Sequence, residues 1–224
     1  MLYYNYSVKI IQKLITFFPY YPIELQNNQT HYLLQMMDSA NEKTAESLLN
    51  PSSKSRVIVK NSKIPGAGKG LFVKKQISSK QPVVIYYGEK RDTEVLYDLY
   101  ESDPEQYQEL STIIRGTPNG FAIIGEKTDN PNFHGVYVND ISCLNCNAQT
   151  VTRDELEAYA KTAQKCNLMT VDTLDFPIYV STRKIKKGEE LYAHYGIGYW
   201  LLHNGCSPEE VTIMNQIYQF ENLY

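Results

Sequence analysis

The chain has 224 residues, enough for one core domain with extensions and ample for a real hydrophobic core. Its apolar share of 42% is ordinary for a globular protein, and a formal net charge of −3 excludes a broadly basic nucleic-acid binder. Four cysteines (Cys143, Cys146, Cys166, Cys206) exclude a disulfide-dense secreted scaffold.

Tyrosine is the departure, with 19 copies against 7 Phe and 1 Trp. Tyr suits strands and clefts that need an apolar body with a hydroxyl tip. Abundant Tyr, Asn, Lys and Ile is equally the mark of an AT-rich coding sequence.

In chain order, apolar side chains at helical spacing over 3–18 predict a helix that stops by Pro22. Lys9 and Lys13 interrupt its apolar run and no small-residue cleavage site follows, so neither a secretory signal nor a membrane span is expected. An intracellular setting is the expectation. A second helix is predicted over 30–49, and Pro51, Ser52 and Ser53 read as a linker.

From Arg56 the texture changes. "RVIVKNS", "GLFVKK", "PVVIYYG", "GFAIIGE", "GVYVND" and "FPIYVST" are short runs rich in Val, Ile, Tyr and Phe, bounded by Gly, Pro, Asn or Ser. These are strand signals. Helices are predicted over 92–114, over 152–166 behind a Thr-Arg-Asp-Glu capping box, and over 208–220 with Ser207 as N-cap and Pro208 at the first position. No internal repeat is visible. The organisation expected is a helical extension (1–54), a mainly β body (55–200) with a helical insertion at 149–176, and a helical C-terminal extension (201–224).

Three segments carry candidate chemistry. In "IPGAGKGLF" the glycines 66, 68 and 70 alternate before a strand, which suits close backbone approach to a ligand or positive φ, and equally suits a flexible hairpin turn. No Lys-Ser/Thr and no following helix make it a nucleotide loop. In "YVNDISCLNCNA", Asn139, Asn145 and Asn147 crowd with Cys143 and Cys146; the CxxC invites a zinc reading with Cys166 and Cys206, but the spacing is irregular. In "IKKGEELYAHYGIGYW" a basic turn at Lys184, Lys186 and Lys187 leads into Glu189, Glu190 and a run of aromatics, whose commoner fate is a strand packed in the core.

Taken in order, the three segments resemble the SET family of lysine methyltransferases. "GKGLF…YYGE" looks like the family's opening Gly-x-Gly strand and Tyr-x-Gly hairpin. "NDISCLNCNA" has the frame of its Asn-His-Ser-Cys-x-Pro-Asn-Cys segment. "GEELYAHYG" is similar to its Gly-Glu-Glu-Leu-x-x-x-Tyr-Gly signature. The resemblance covers 56–200. It implies an α+β, mainly β, SET-domain (β-clip) fold with knot-like threading of the C-terminal signature, flanked here by helices.

The resemblance also implies S-adenosylmethionine as cofactor and a lysine-bearing protein or peptide as substrate, histone tails being the commonest family target. No nucleic acid or membrane partner follows from it. Lys69 and Gly70 would line the cofactor pocket, Asn139 would bind the methionine portion, and the Asp140 backbone would reach the adenine, on which Tyr199 or Trp200 would stack. Tyr195 would be the catalytic tyrosine, with Tyr86 and Ala193 lining the substrate channel. Ala193 stands where many members carry Phe or Tyr, which leaves room for higher methylation states.

The chain departs from the pattern at Asp140 (family His), Ile141 (family Ser) and Ser142 (family Cys). With the last change goes the absence of a cysteine-rich tail after Trp200, so no metal is expected. The insertion would shape substrate entry or, more simply, decorate the surface. Two other readings stand beside the enzyme: a SET-like binding module without activity, and an unrelated β-rich interaction protein.

Overall fold

The Val-, Ile- and Phe-rich runs after Arg56 pair as antiparallel strands in small sheets. The computed structural model describes residues 55–111, 113–116, 121–142, 150–171 and 176–218. The helices predicted at 3–18 and 30–49, the linker, and Cys143 and Cys146 lie outside them.

Strands β1 (Val57–Asn61) and β2 (Lys69–Val73) form a hairpin, with Val57 opposite Val73 and Asn61 opposite Lys69. Its connection closes with Ser62 N donating to Gly68 O (2.9 Å). Gly66 and Gly68 have φ of 80° and 66°, a region that L side chains avoid, so these glycines serve the turn. A second sheet runs β3 (Pro82–Ile85), β8 (Ile178–Ser181), β7 (Leu168–Val171), and a third runs β4 (Gly88–Asp92), β6 (Phe121–Gly125), β5 (Ile114–Gly116). The central β8 is buried along its whole length, as a strand covered on both faces must be. Pro82 opens the edge strand β3, where its missing N–H costs no ladder bond.

Several elements differ from the sequence expectation. The helix expected over 92–114 is two: α1 (Thr93–Ser102) and α2 (Pro104–Ser111), with Asp92 in β4 and Ile114 in β5. Pro104 has no N–H to continue α1 and is well suited to start α2, where Asp103 Oδ1 accepts from Gln106 N (3.0 Å). "GVYVND" is not a strand. Gly135–Tyr137 is a 3-10 turn, and Gly135 lies directly on the backbone of Ile85 and Tyr86, where a Cβ would collide. The aromatic run after Leu191 is not a strand either; it bends at Gly196 (φ 98°) into helix α4 (Ile197–His203). Helix α3 (Arg153–Ala163) has the expected capping box between Thr152 and Glu155, and α5 (Pro208–Tyr218) starts behind Ser207 as expected.

Two main cores result. One joins β1, β2, β3, β6, β8 and the 185–193 segment through Val57, Leu71, Val84, Ile123, Tyr179, Ile185 and Leu191. The other joins α3, α4 and α5 through Leu156, Tyr159, Ile197, Leu201, Val211 and Met214. Leu156, Tyr159, Ala160 and Ala163 form the buried stripe of α3, at the spacing of one helix face. The insertion helix therefore belongs to a core and is not surface decoration.

The segment 188–193 ties the body together. On one side it pairs with β2: Gly188 N donates to Val73 O (2.8 Å), Val73 N to Glu189 O (2.9 Å), and Leu191 N to Leu71 O (2.8 Å). On the other it runs parallel to Asn139, with Ala193 N donating to Asn139 O (3.0 Å). The buried side chain of Asn167 completes the ladder in place of a strand: its Oδ1 accepts from Tyr192 N (2.9 Å) and its Nδ2 donates to Glu190 O (2.8 Å). Asn167→Ala leaves that N–H and that carbonyl buried without partners, so it is expected to lower stability by about 2–4 kcal/mol in urea unfolding. Wild-type stability in this variant would mean that the main-chain ladder suffices.

Candidate active site

The three motif segments, far apart in sequence, meet along a line from Glu190 through Asn139 to Tyr195. The first contact is made by Glu190, which is 2% exposed. Its Oε1 accepts from Ser62 Oγ (2.6 Å), and its Oε2 from Lys63 N (2.8 Å) and Tyr192 Oη (2.8 Å). A Cβ on Gly70 would collide with Glu190 Oε1, so this glycine is required by a carboxylate of the protein itself. Lys69, next to it, projects outward to Asn61 Oδ1 (2.8 Å) and turns its carbonyl inward, where it accepts from Asn139 Nδ2 (2.9 Å).

The second contact is made by the stretch 138–140. Tyr195 Oη donates to Val138 O (2.6 Å), while Tyr195 N donates to Asp140 Oδ2 (3.0 Å). Both ends of the tyrosine are thus held by one short segment, with Asn139 between the two anchors. Asp140 is buried, and its carboxylate takes three more donors: Ser142 N on Oδ1 (2.8 Å), and Tyr159 Oη (2.7 Å) and Trp200 Nε1 (3.0 Å) on Oδ2. Burial pushes its pKa above the ordinary carboxylate value, and the four donors oppose that rise. Three of them can only donate, so the set matches the ionised form.

Around Tyr195 the walls are aromatic. Tyr199 meets its ring edge-on at 4.8 Å between centroids, and Trp200 lies near-parallel to it at 6.1 Å. Tyr86 donates to Ile113 O (2.7 Å) and meets Tyr179 edge-on at 6.3 Å. The Arg115 guanidinium lies over Tyr179, 5.4 Å from its centroid. Burial first, then the neighbouring tyrosines, pushes the Tyr195 hydroxyl well above its ordinary range. Burial does the same for Tyr86, and burial with Asp140 moves Tyr199 to about 12. These hydroxyls stay protonated at neutral pH and act as neutral dipoles rather than bases. The Cys166 thiol, also pushed up to about 12 by burial and then by Asp140, is no nucleophile.

The structure thus brings together Lys69, Gly70, Asn139, Asp140, Ala193, Tyr195, Tyr199 and Trp200, with Tyr86 joined through Tyr179. Ala193 is buried directly behind Asn139. Sequence reasoning missed Tyr159, Asn167 and Tyr179, and gave Glu190 no role of its own. Tyr159 was open to discovery as part of the apolar stripe of α3; Asn167 carried no signal. Among the described residues, no group of His, Cys, Asp and Glu could hold a metal ion, and no helix is long and apolar enough to cross a membrane.

No protein-family model and no curated protein matches the chain. Among solved structures it is similar to a chain of ctPRC2 in an autoinhibited conformation bound to S-adenosylmethionine, with a TM-score of 0.45 and 17% identity over 73% of this chain. Apo ctPRC2 carrying two substitutions in Ezh2 gives a TM-score of 0.44 and 17% identity over 64% of this chain. This chain spans only 17% and 15% of the length of those two chains.

His194, beside Tyr159 at 5.3 Å between rings, is pushed down to about 4 by burial and then by Arg115. A base with a depressed folded pKa stabilises the fold above its ordinary value, and that contribution is lost as pH falls through the folded value. Folded stability is therefore expected to decline between about pH 6.5 and 4, with a slope approaching ~1.4 kcal/mol per pH unit. Asp140, whose folded pKa is raised, acts in the opposite sense: its contribution is present at low pH and fades as pH rises. Melting temperatures of His194→Gln across this range should show a flatter profile than wild type; an unchanged slope would assign the titration to another group.

Proposed function

We propose that the chain is an S-adenosylmethionine-dependent protein-lysine N-methyltransferase with a SET-like site. The observation that carries this reading is the convergence of the three family-like segments: β2 pairs with 188–191 and holds Asn139, and the stretch 138–140 holds a half-buried Tyr195 at both ends.

The residues present fit the cofactor. Among the described residues the Asn139 side chain makes one hydrogen bond, to Lys69 O, which leaves an amide oxygen and a second N–H for the ammonium and carboxylate of an amino-acid moiety. Tyr199 and Trp200 are part-exposed aromatic surfaces suited to a flat base. S-adenosylmethionine, when bound, supplies an electrophilic methyl group on a sulfonium.

The protein's part is alignment and desolvation. Tyr195 spends its one proton on Val138 O, so towards the reacting centre it presents oxygen lone pairs, which steer an incoming amine and a polarised methyl without taking a proton. The target lysine must be neutral, against a reference pKa of about 10.4. A wall of Tyr86, Tyr195 and Tyr199, whose hydroxyls are neutral and partly tied to carbonyls, backed by the ring of Tyr179, disfavours the ammonium form. Holding nitrogen, carbon and sulfur in line supplies much of the rate. The substrate is a lysine presented by a protein or peptide, and a basic segment such as a histone tail complements the acidic chain. A second reading, a SET-like module that binds protein without methylating it, draws on the replacement of the family His by Asp140.

Calorimetric titration with S-adenosylmethionine and S-adenosylhomocysteine tests the proposal. Micromolar binding, weakened about tenfold or more in Asn139→Ala, is the expected result. Tyr195→Phe should keep cofactor binding and lose about a hundredfold or more in methyl transfer to lysine peptides. Failure of the folded wild-type protein to bind either compound would refute the enzyme; binding without transfer to any lysine peptide would favour the module.

A further inference from the structure

We propose that Asp140 and Tyr159 are positioning residues of this site, which makes α3 a working part of it rather than a support. The proposal rests on the methyltransferase reading of Tyr195 and Asn139. Its basis is a closed network. Asp140 Oδ2 holds the main-chain N–H of Tyr195 (3.0 Å), the indole of Trp200 (3.0 Å) and the hydroxyl of Tyr159 (2.7 Å). Tyr159 Oη, while donating to Asp140, accepts from Gly196 N (3.2 Å). The main chain is therefore gripped on both sides of the bend at 195–196, where Gly196 has φ 98° and α4 begins.

The consequence is geometric. Tyr195 is fixed at its hydroxyl by Val138 and at its backbone by Asp140, the two neighbours of Asn139. The position of the catalytic hydroxyl relative to the cofactor-binding amide is thereby set within three consecutive residues. Trp200, one turn into α4, is fixed by the same oxygen, which sets the aromatic face relative to both. Tyr159 orients that carboxylate from α3, a helix whose buried stripe leaves it little freedom to shift. An isosteric amide cannot replace the carboxylate, because its NH2 would face groups that only donate.

Because Trp200 is the chain's single tryptophan, its indole N–H gives one resonance in the 15N-labelled full-length protein. In Asp140→Asn that resonance should move upfield, and affinity for S-adenosylhomocysteine should fall at least tenfold while circular dichroism shows a folded protein. Tyr159→Phe keeps the carboxylate but removes both hydrogen bonds of the hydroxyl, and should move the resonance less and weaken binding about threefold. The double variant should bind no more weakly than Asp140→Asn alone, since both act through one network. If Asp140→Asn does not fold, Tyr159→Phe decides on the same two readouts. Folded variants that melt earlier but bind S-adenosylhomocysteine as wild type does would overturn the positioning role and leave the methyltransferase reading standing. A wild-type protein that binds none of it would overturn both.

Discussion

The buried carboxylate of Glu190 is the constraint on which the rest of the site depends. A carboxylate in the interior is costly unless its oxygens are saturated with donors. Its three donors come from the glycine-rich turn (Ser62, Lys63) and from its own segment (Tyr192), and it fills the space where a side chain at position 70 would be. The turn, β2 and the 188–193 segment are thus satisfied together or not at all. Lys69 O is aimed at Asn139 by the same arrangement, and Asn139 is in turn the neighbour of both anchors of Tyr195.

Much of the β body was legible because its strands are short β-branched or aromatic runs cut off by Gly, Pro or Asn, and such runs have few other uses. β5 (Ile-Arg-Gly) and β7 (Leu-Met-Thr-Val) were not, since three or four residues with mixed side chains carry no period. The break between α1 and α2 was written in Asp103-Pro104, a pair that both ends and caps a helix. Helix α4 was hidden for a different reason. Its seven residues include a glycine and adjacent aromatics, and it forms because Gly196 can take positive φ and because Ile197 and Leu201 bury against α3 and α5. That is tertiary information.

The site divides in the same way. Gly70, Asn139, Tyr195 and Trp200 could be singled out from motif order, by resemblance alone. Residues that act through position could not. The partners of Asp140 lie 19, 55 and 60 residues away, so in the sequence it reads only as a departure from the pattern the segment resembles. In the fold it is the best-connected carboxylate of the site. Asn167 is similar: a polar residue after a helix reads as a turn, and only the fold shows that it completes a ladder.

The span between Ser62 and Glu190, 128 residues, bears on how the protein is made. Bringing such distant segments together loses chain entropy before any contact compensates, which slows folding. As the chain leaves the ribosome, the outer edge of β2 emerges well before the segment that covers it. Until then a buried-type strand, Gly-Leu-Phe-Val, is an open template for pairing with other nascent chains. Slow translation or low growth temperature prolongs that exposure but also lowers the concentration of competing chains, so the yield of soluble protein is governed by the traffic of unfinished molecules as much as by the stability of the finished one.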